Sequence, residues 1–421
     1  MIDTDFINEI TQTIMQQKWR SVMTSFGVFW GILILILLLG AGMGMSNGIM
    51  DSITNIPANS IFFAAGETSK AYGGFPRGRK WEIQTSDINI IGSTFSQMIV
   101  STPALKYPDS TPHLVSAGTL RGQYTLAGVT PDYYQAMPQK LLSGRYINHI
   151  DMLEQRKVCV IGEKVAETLF PGKKDVIGKS IKVDNQNMDV VGVAKTTNKT
   201  LNVGPDVTSS VLMPLSTEQV LYDQAGKVDV LGFIFRDEYP VSVYGDSIDS
   251  IIRSNHSIAP DDELGLLKAD ISYYLAMFTN LFSGVDILIW IVGIGTLLAG
   301  LIGISNIMLI TVKERTQEIG VRRALGAQPS SIIMQIVCES MALTAVSGLL
   351  GIAVGVWVIA AVRDILVAQG VSDGASFINP YVPLIPAVSA FVILILGGMF
   401  AGLMPAKRAL AVKAIDALRD E

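Results

Sequence analysis

The sequence predicts a membrane protein of four α-helical spans, with a large α+β extracytoplasmic domain inserted between spans one and two. Three observations carry this. Only 16% of the 421 residues are charged, against about 25% in ordinary globular proteins. Mean hydropathy is +0.41. The charge deficit is also concentrated, because residues 21–50, 287–312, 340–362 and 374–406 contain no Asp, Glu, Lys or Arg. Each of these windows supplies the ~20 apolar residues a helix needs to cross ~30 Å of hydrocarbon.

The elements follow in chain order. Residues 1–25 read as an amphipathic interfacial helix, with Phe6, Ile7, Ile10 and Ile14 at helical spacing and Trp19 between Lys18 and Arg20 as an interface anchor. Span one is placed at 26–45. Its apolar run exceeds the 7–15 residues of a signal-peptide core and no cleavage-like site follows, so it reads as a retained anchor. The inserted domain is placed at 46–284, span two at 285–312, a cytoplasmic loop at 313–331 and span three at 332–362. A short outer loop at 363–381, span four at 382–404 and a tail at 405–421 complete the chain. Residues 88–105 are also uncharged, but are rich in Ser, Thr, Asn and Gln and are rejected as a span.

Basic residues set the orientation. Lys18, Arg20, Lys313, Arg315, Arg322, Arg323, Lys407, Arg408, Lys413 and Arg419 all fall on one side, and Arg363 alone lies in the short opposite loop. Both termini and the middle loop are therefore expected in the cytoplasm.

Residues 46–284 hold 25 acids and 21 bases, the charge density of a soluble fold. At ~240 residues they can bury a core of their own, as one domain or two subdomains. A strand is expected at 156–161, a helix at 163–169, a hairpin of 180–184 with 188–193, a strand at 231–235 and a helix at 241–254. Residues 73–78, Gly-Gly-Phe-Pro-Arg-Gly, suggest a mobile loop. In the spans, Gly40/Gly44, Gly351/Gly355 and Gly398/Gly402 form GxxxG pairs, which let helices approach closely within one protomer or across a dimer.

Several function classes are excluded. Gly178-Lys179-Ser180 resembles the end of a phosphate loop, but position 173 is Lys where the first Gly is required. No GxSxG or HExxH motif marks a catalytic centre in the apolar windows. Asp286 and Glu339 sit at span ends, so the mid-membrane carboxylates of ion-coupled carriers are missing. His113, His149 and His256 are far apart and read as solvated loop residues, not metal ligands. Cys159 and Cys338 form no metal or disulfide pattern. With a net charge of −5, nucleic acid is not an expected partner. The chain reads as a non-enzyme that binds no metal or cofactor itself, so energy must come from elsewhere.

The middle loop, VKERTQEIGVRRALGA at 312–327, reads as a short amphipathic helix. Glu314/Glu318 and Arg315/Arg322 space along one edge, Ile319, Val321, Ala324 and Leu325 form an apolar side, Gly326 suits a C-cap, and Pro329 restarts a helix.

These segments resemble the ABC-transporter permeases of the macrolide-exporter type (MacB-like, related to FtsX-like permeases). The similarity runs through KWRSVMTSFG at 18–27, GVTPDYY at 128–134, LSGRY at 142–146, VCVIGE at 158–163, LFPG at 169–172, IGK at 177–179 and VVGV at 190–193. It continues through 312–339 to PAKRA at 405–409 and IDALR at 415–419. The resemblance implies a permease homodimer in the inner membrane of a bacterial cell, on two copies of an ABC ATPase that binds ATP and Mg. Lys313, Glu314, Arg315, Glu318, Ile319, Gly320, Arg322, Arg323, Leu325, Gly326 and Ala327 would form the ATPase-coupling loop. The chain lacks the fused ATPase domain of the macrolide exporters, so a separate ATPase is expected. Three roles stay open under the resemblance. One is efflux of antibiotics or peptides, with a periplasmic adaptor and outer-membrane channel. The second is transduction of ATP-driven motion to a cell-envelope hydrolase or sensor. The third is lipoprotein release.

Overall fold

The computed structural model describes residues 18–54, 56–108, 112–137, 139–172, 175–197, 203–369 and 377–411. The expected interfacial helix before residue 18 and the tail after residue 411 lie outside them. Helix α1 (Lys18–Thr54) leads to strands β1 (Ser60–Ala65) and β2 (Ile83–Gln84), helix α2 (Thr85–Thr94), and strands β3 (Ile99–Ser101), β4 (Ala104–Lys106), β5 (His113–Ala117) and β6 (Leu120–Val129). Helix α3 (Tyr133–Ala136), β7 (Gln139–Gly144), α4 (His149–Leu153), β8 (Val158–Gly162), α5 (Glu163–Leu169), β9 (Ser180–Val183), β10 (Gln186–Thr196) and β11 (Ser210–Pro214) follow. Helix α6 (Leu215–Leu221), β12 (Lys227–Val228), β13 (Val230–Phe235), α7 (Val241–Asn255) and β14 (Leu266–Asp270) complete the inserted part. The chain ends in α8 (Ile271–Glu314), α9 (Thr316–Ala324), α10 (Pro329–Ala368) and α11 (Leu384–Ala411).

The chain divides into two units, one of 1–48, 281–372 and 377–421, the other essentially 49–280. In the first, α1, α8, α10 and α11 are long and apolar enough to cross a membrane. The expected span windows lie within these helices but are shorter, except at the start of α11, which begins two residues later than expected. Uncharged polar residues such as Ser46 and Asn47 continue α1 past its apolar window, because helical hydrogen bonding does not require apolarity.

Small residues bring these four helices together. A Cβ at Gly40 would lie 2.7 Å from the Ile359 side chain, and one at Gly355 2.6 Å from the Ile36 methyl. One at Gly351 would strike Ile32 and stand 2.9 Å from the Phe29 carbonyl oxygen, joining α1 to α10. Gly398 and Gly402 abut Thr344 and Ser340, joining α10 to α11, and Gly397 abuts Leu301 of α8. Gly31 against Thr296 closes the circuit between α1 and α8. A Cβ at Gly44 would lie 2.6 Å from the Phe377 ring, ahead of α11. All six GxxxG glycines thus sit at contacts inside one chain. Lipid supplies no hydrophobic drive between helices, so close approach and interhelical hydrogen bonds must hold them. Ser340 Oγ donates to the Gly398 carbonyl at 3.0 Å. Val28, Ile32, Leu35, Ile36, Leu297, Ile304 and Leu394 fill the centre.

The second unit has two sheet regions. In one, β4, β13, β1 and β14 lie side by side, with β3 also on β13, and α2 and α7 contribute to the core around Phe63, Phe233, Ile248 and Ile252. Strands β1 and β13 are buried on both faces, with Ile61, Phe63, Leu231 and Phe233 in that core and Phe62 and Ile234 turned to the opposite side, into a second one. In the other, the strand path β11-β8-β10-β9-β5-β6 closes on itself, because β6 also pairs parallel with β11 from Thr125↔Ser210 to Val129↔Pro214. Val115, Leu126, Ile161, Ile181, Val190, Val211 and Met213 form its core. The β9–β10 hairpin turns at Asp184, whose φ is 49°.

Two expectations about this unit are corrected. The segment expected as a loop at 73–78 is hydrogen-bonded, with Gly73 and Gly74 in a tight turn and the Gly78 amide donating to the Thr68 carbonyl. Tyr72 and Phe75 exchange backbone hydrogen bonds at 3.1 and 3.0 Å across φ values of 57° and 84°, the twist that suits a two-residue hairpin. His113 is buried on β5 and bonds Asp184 at 2.8 Å, and His256 bonds Asp87 at 2.7 Å, so of the three histidines only His149 is exposed. Strand alternation turns His113 inward. Cys159 is wholly buried, and burial pushes its thiol pKa up.

Candidate coupling element

Residues 313–331 form a helix-break-helix between α8 and α10. Lys313 and Glu314 are exposed in the last turn of α8. Arg315, at φ −95° and ψ 14°, separates the two helices. Glu314 and Glu318 therefore belong to different helices, and the single edge expected from sequence is interrupted. The Arg315 amide still bonds the Thr311 carbonyl at 3.1 Å, so the break is a tight kink.

Helix α9 is clamped on one side and open on the other. Ile319 packs against the core of the helical unit and Gly320 is buried. Arg315 Nη1 stands 3.7 Å from Glu339 Oε2 of α10, the latter being buried. Arg322 Nη1 donates to Gln335 Oε1 at 3.1 Å, and its Nη2 pairs with Glu318 at 2.8 Å. The Glu318–Arg322 pair is half-exposed at one helical turn and contributes only about 0.3–0.5 kcal/mol. Its value is positional. Arg322 and Arg323 also occupy the last turn, where the helix dipole favours cations. A cavity of about 40 Å³ among Met308, Arg315, Ile319, Gln335 and Glu339 has room for water, not for a transported molecule.

The C-terminus of α9 is fixed by backbone bonds. The Gly326 amide donates to the Arg323 carbonyl at 3.1 Å and the Ala327 amide to Arg322 at 3.0 Å. This paired cap needs a left-handed residue, and Gly326 supplies it at φ 93°. Pro329 then starts α10, where its missing N–H costs nothing.

The apolar side expected from Ile319, Val321, Ala324 and Leu325 is split. Residues two apart on a helix face opposite ways. Ile319 turns inward, while Val321 is 44% and Leu325 83% exposed. With Lys313, Glu314, Ala324 and Ala327, these make the outer surface of the element. Sequence reasoning missed Gln335. Its signal was a polar pair one turn apart, Gln335 and Glu339, on an otherwise apolar helix that begins beside the basic segment.

Residues 21–238 match the MacB-like periplasmic core domain, and residues 290–414 the FtsX-like permease C-terminal domain. A macrolide export ATP-binding/permease protein MacB of Chlorobium phaeobacteroides is 27% identical, over 99% of this chain and 61% of the relative. That of Bdellovibrio bacteriovorus is 28% identical, over 97% and 61%. The chain thus spans about three fifths of the length of these curated relatives. The crystal structure of the periplasmic region of MacB from Actinobacillus actinomycetemcomitans covers 55% of this chain and 98% of its own, at 17% identity and a TM-score of 0.44. The extracellular domain of the ABC-type transporter YknZ covers 50% and 100%, at 17% and 0.40. With one family matching the first helix and inserted domain, and the other the remaining helices, this chain belongs to the MacB/FtsX-like family of membrane permeases.

Proposed function

We propose that this chain is the permease subunit of an inner-membrane ABC transporter, and that α9 is where a separate ATPase docks. The observation that carries this reading is the clamping of α9. A short helix is fixed to two spans by Ile319, Arg315–Glu339 and Arg322–Gln335, with Val321 and Leu325 turned to solvent. Such an element moves with the spans it is fixed to, and its exposed leucine is available to a groove on another protein.

In this reading two permease copies sit on two ATPase subunits, with both termini and α9 on the cytoplasmic side and lipid around the spans. ATP and Mg act on the ATPase. Closing of the ATPase pair pushes α9, and α8 carries the shift through the membrane toward the inserted domain. Rigid movement of packed helices is an established mode of switching. The work done outside is export of antibiotics, peptides or similar molecules, handed in a two-membrane cell to a periplasmic adaptor and an outer-membrane channel. The names of the curated relatives, macrolide export proteins, support export over signalling or lipoprotein release.

The test is co-purification with the ABC ATPase subunit recovered with the parent chain from its own host cells. Leu325→Asp, and separately Arg322→Glu with Arg323→Glu, should each reduce ATPase recovery and its stimulation by the permease at least tenfold. Undiminished recovery and stimulation in both would refute docking on α9.

A further inference from the structure

Strand β7 is bonded on one side only. It lies antiparallel to β10 from Gly192↔Gly144 to Thr196↔Gln139, and among the described residues no strand lies against its other side. In an antiparallel pair alternate residues turn their N–H and C=O groups away from the partner strand. Outside the ladder, Tyr146 Oη donates to the Gln139 carbonyl at 2.6 Å and holds the start of β7 in place. Tyr146 is itself stacked on the exposed Tyr134, at a ring separation of 4.2 Å. An ordered open edge of this kind is a template on which another chain can add a strand.

Native edges are commonly blunted by a lysine or a bulge. Strand β7 has both, Lys140 and a register shift that leaves Leu142 without a partner on β10. Neither is arranged as a guard. The shift leaves an apolar side chain, Leu142, 41% exposed at the edge. Lys140 stands directly opposite Lys195 of β10, where like charges repel. Guarding the edge needs the outer lysine alone, and Lys195, one strand further in, adds repulsion without adding protection.

The two lysines have no carboxylate partner among the described residues. Asp206, beside the end of β10, is already engaged by Thr196, Thr208 and Ser209. A strand added to β7 would place its own side chain next to Lys140 on the same face. A carboxylate there offsets the repulsion between the lysines, while the added backbone completes the ladder.

We propose that β7 takes up an extended acidic segment of another protein as an added strand, with Lys140 and Lys195 facing its carboxylates. The backbone edge sets the extended shape of the segment, and the two lysines set its charge. The edge belongs to the inserted unit and does not depend on ATPase docking at α9.

The probe is a fluorescein-labelled peptide of alternating valine and glutamate, which puts every carboxylate on one face of a strand. It is titrated by anisotropy against the full-length protein in lipid nanodiscs at constant ionic strength. Saturable binding is expected. The same peptide with lysine for glutamate should not bind. The glutamate peptide with alternate backbone nitrogens methylated keeps its charge but loses ladder donors, and should bind at least tenfold more weakly. Lys140→Glu should keep or raise the thermal midpoint, because it puts opposite charges across the strand pair, yet weaken the glutamate peptide at least tenfold, while Lys140→Arg should retain binding. No saturation by the glutamate peptide, equal binding of the lysine or the methylated peptide, or undiminished binding in Lys140→Glu would overturn the proposal. So would cross-linking of Leu142→Cys between two copies of the chain without peptide, which would assign the edge to a second copy.

Discussion

Adding one methyl group at Gly351 tests the helix packing directly. The new Cβ would strike the Ile32 methyl and lie 2.9 Å from the Phe29 carbonyl oxygen, where carbon atoms normally approach to about 3.5–4.0 Å. Ile32 could rotate, but the carbonyl is part of helix α1 and cannot move alone. Helices α1 and α10 must therefore separate by most of an ångström. Overpacking of this kind costs about 1–3 kcal/mol, against which Gly→Ala recovers up to ~1 kcal/mol of helix propensity. A net loss of about 1–2 kcal/mol is expected for Gly351→Ala. Gly303→Ala is the matched control, since a Cβ there meets nothing within 4 Å, and it should be neutral or stabilising. Tryptophan-detected thermal unfolding in detergent reads the difference, at about 2–4 °C per kcal/mol. If Gly351→Ala melts at or above Gly303→Ala, the close crossing of α1 and α10 is refuted.

Two further predictions concern the inserted unit and the cap of α9. Burial opposes ionisation of Asp151, but hydrogen bonds from Arg145 and the Asn148 amide, with the charges of Arg145 and Arg156, hold its carboxyl below the usual range. Its contribution is therefore complete above the unfolded value of about 3.9 and is lost as pH falls through the lower folded value. Asp151→Asn should lower the midpoint at pH 7, and the gap to the parent should shrink below about pH 4. A constant gap would contradict this. Gly326→Ala places a side chain at φ 93°, which costs about 1–2 kcal/mol. It should lower both the thermal midpoint and the ATPase stimulation, while Gly284→Ala, in open space, should lower neither.

Much of this architecture could be read from local sequence. Charge-free windows located the four long helices, because hydrocarbon excludes charge one residue at a time. The helix Glu163–Leu169 and the β9–β10 hairpin were legible because their turn residues and periodicities are contiguous. The pairing of β6 with β11 was not, since it joins segments some 85 residues apart and leaves no local mark. The burial of His113 depends on Asp184 across a neighbouring strand, which composition cannot show. In the coupling element, Gly326 and Pro329 gave the cap and the restart, but Arg315 as a kink did not follow from its residue type. The inward turn of Ile319 and the outward turn of Val321 could have been deduced from helical geometry alone. Gln335 was legible only as half of a polar pair whose partner lies across a turn.

The closed path of β11, β8, β10, β9, β5 and β6 has a consequence for how other proteins can meet this unit. Among the described residues each strand of the path pairs with a strand on either side. The strand left with a single partner is β7, which hangs on β10 from Gly192↔Gly144 to Thr196↔Gln139. A partner that extends this sheet by adding a strand would therefore do so on β7. Elsewhere on the ring recognition runs through side chains and loops, where specificity can change without disturbing the pairing beneath.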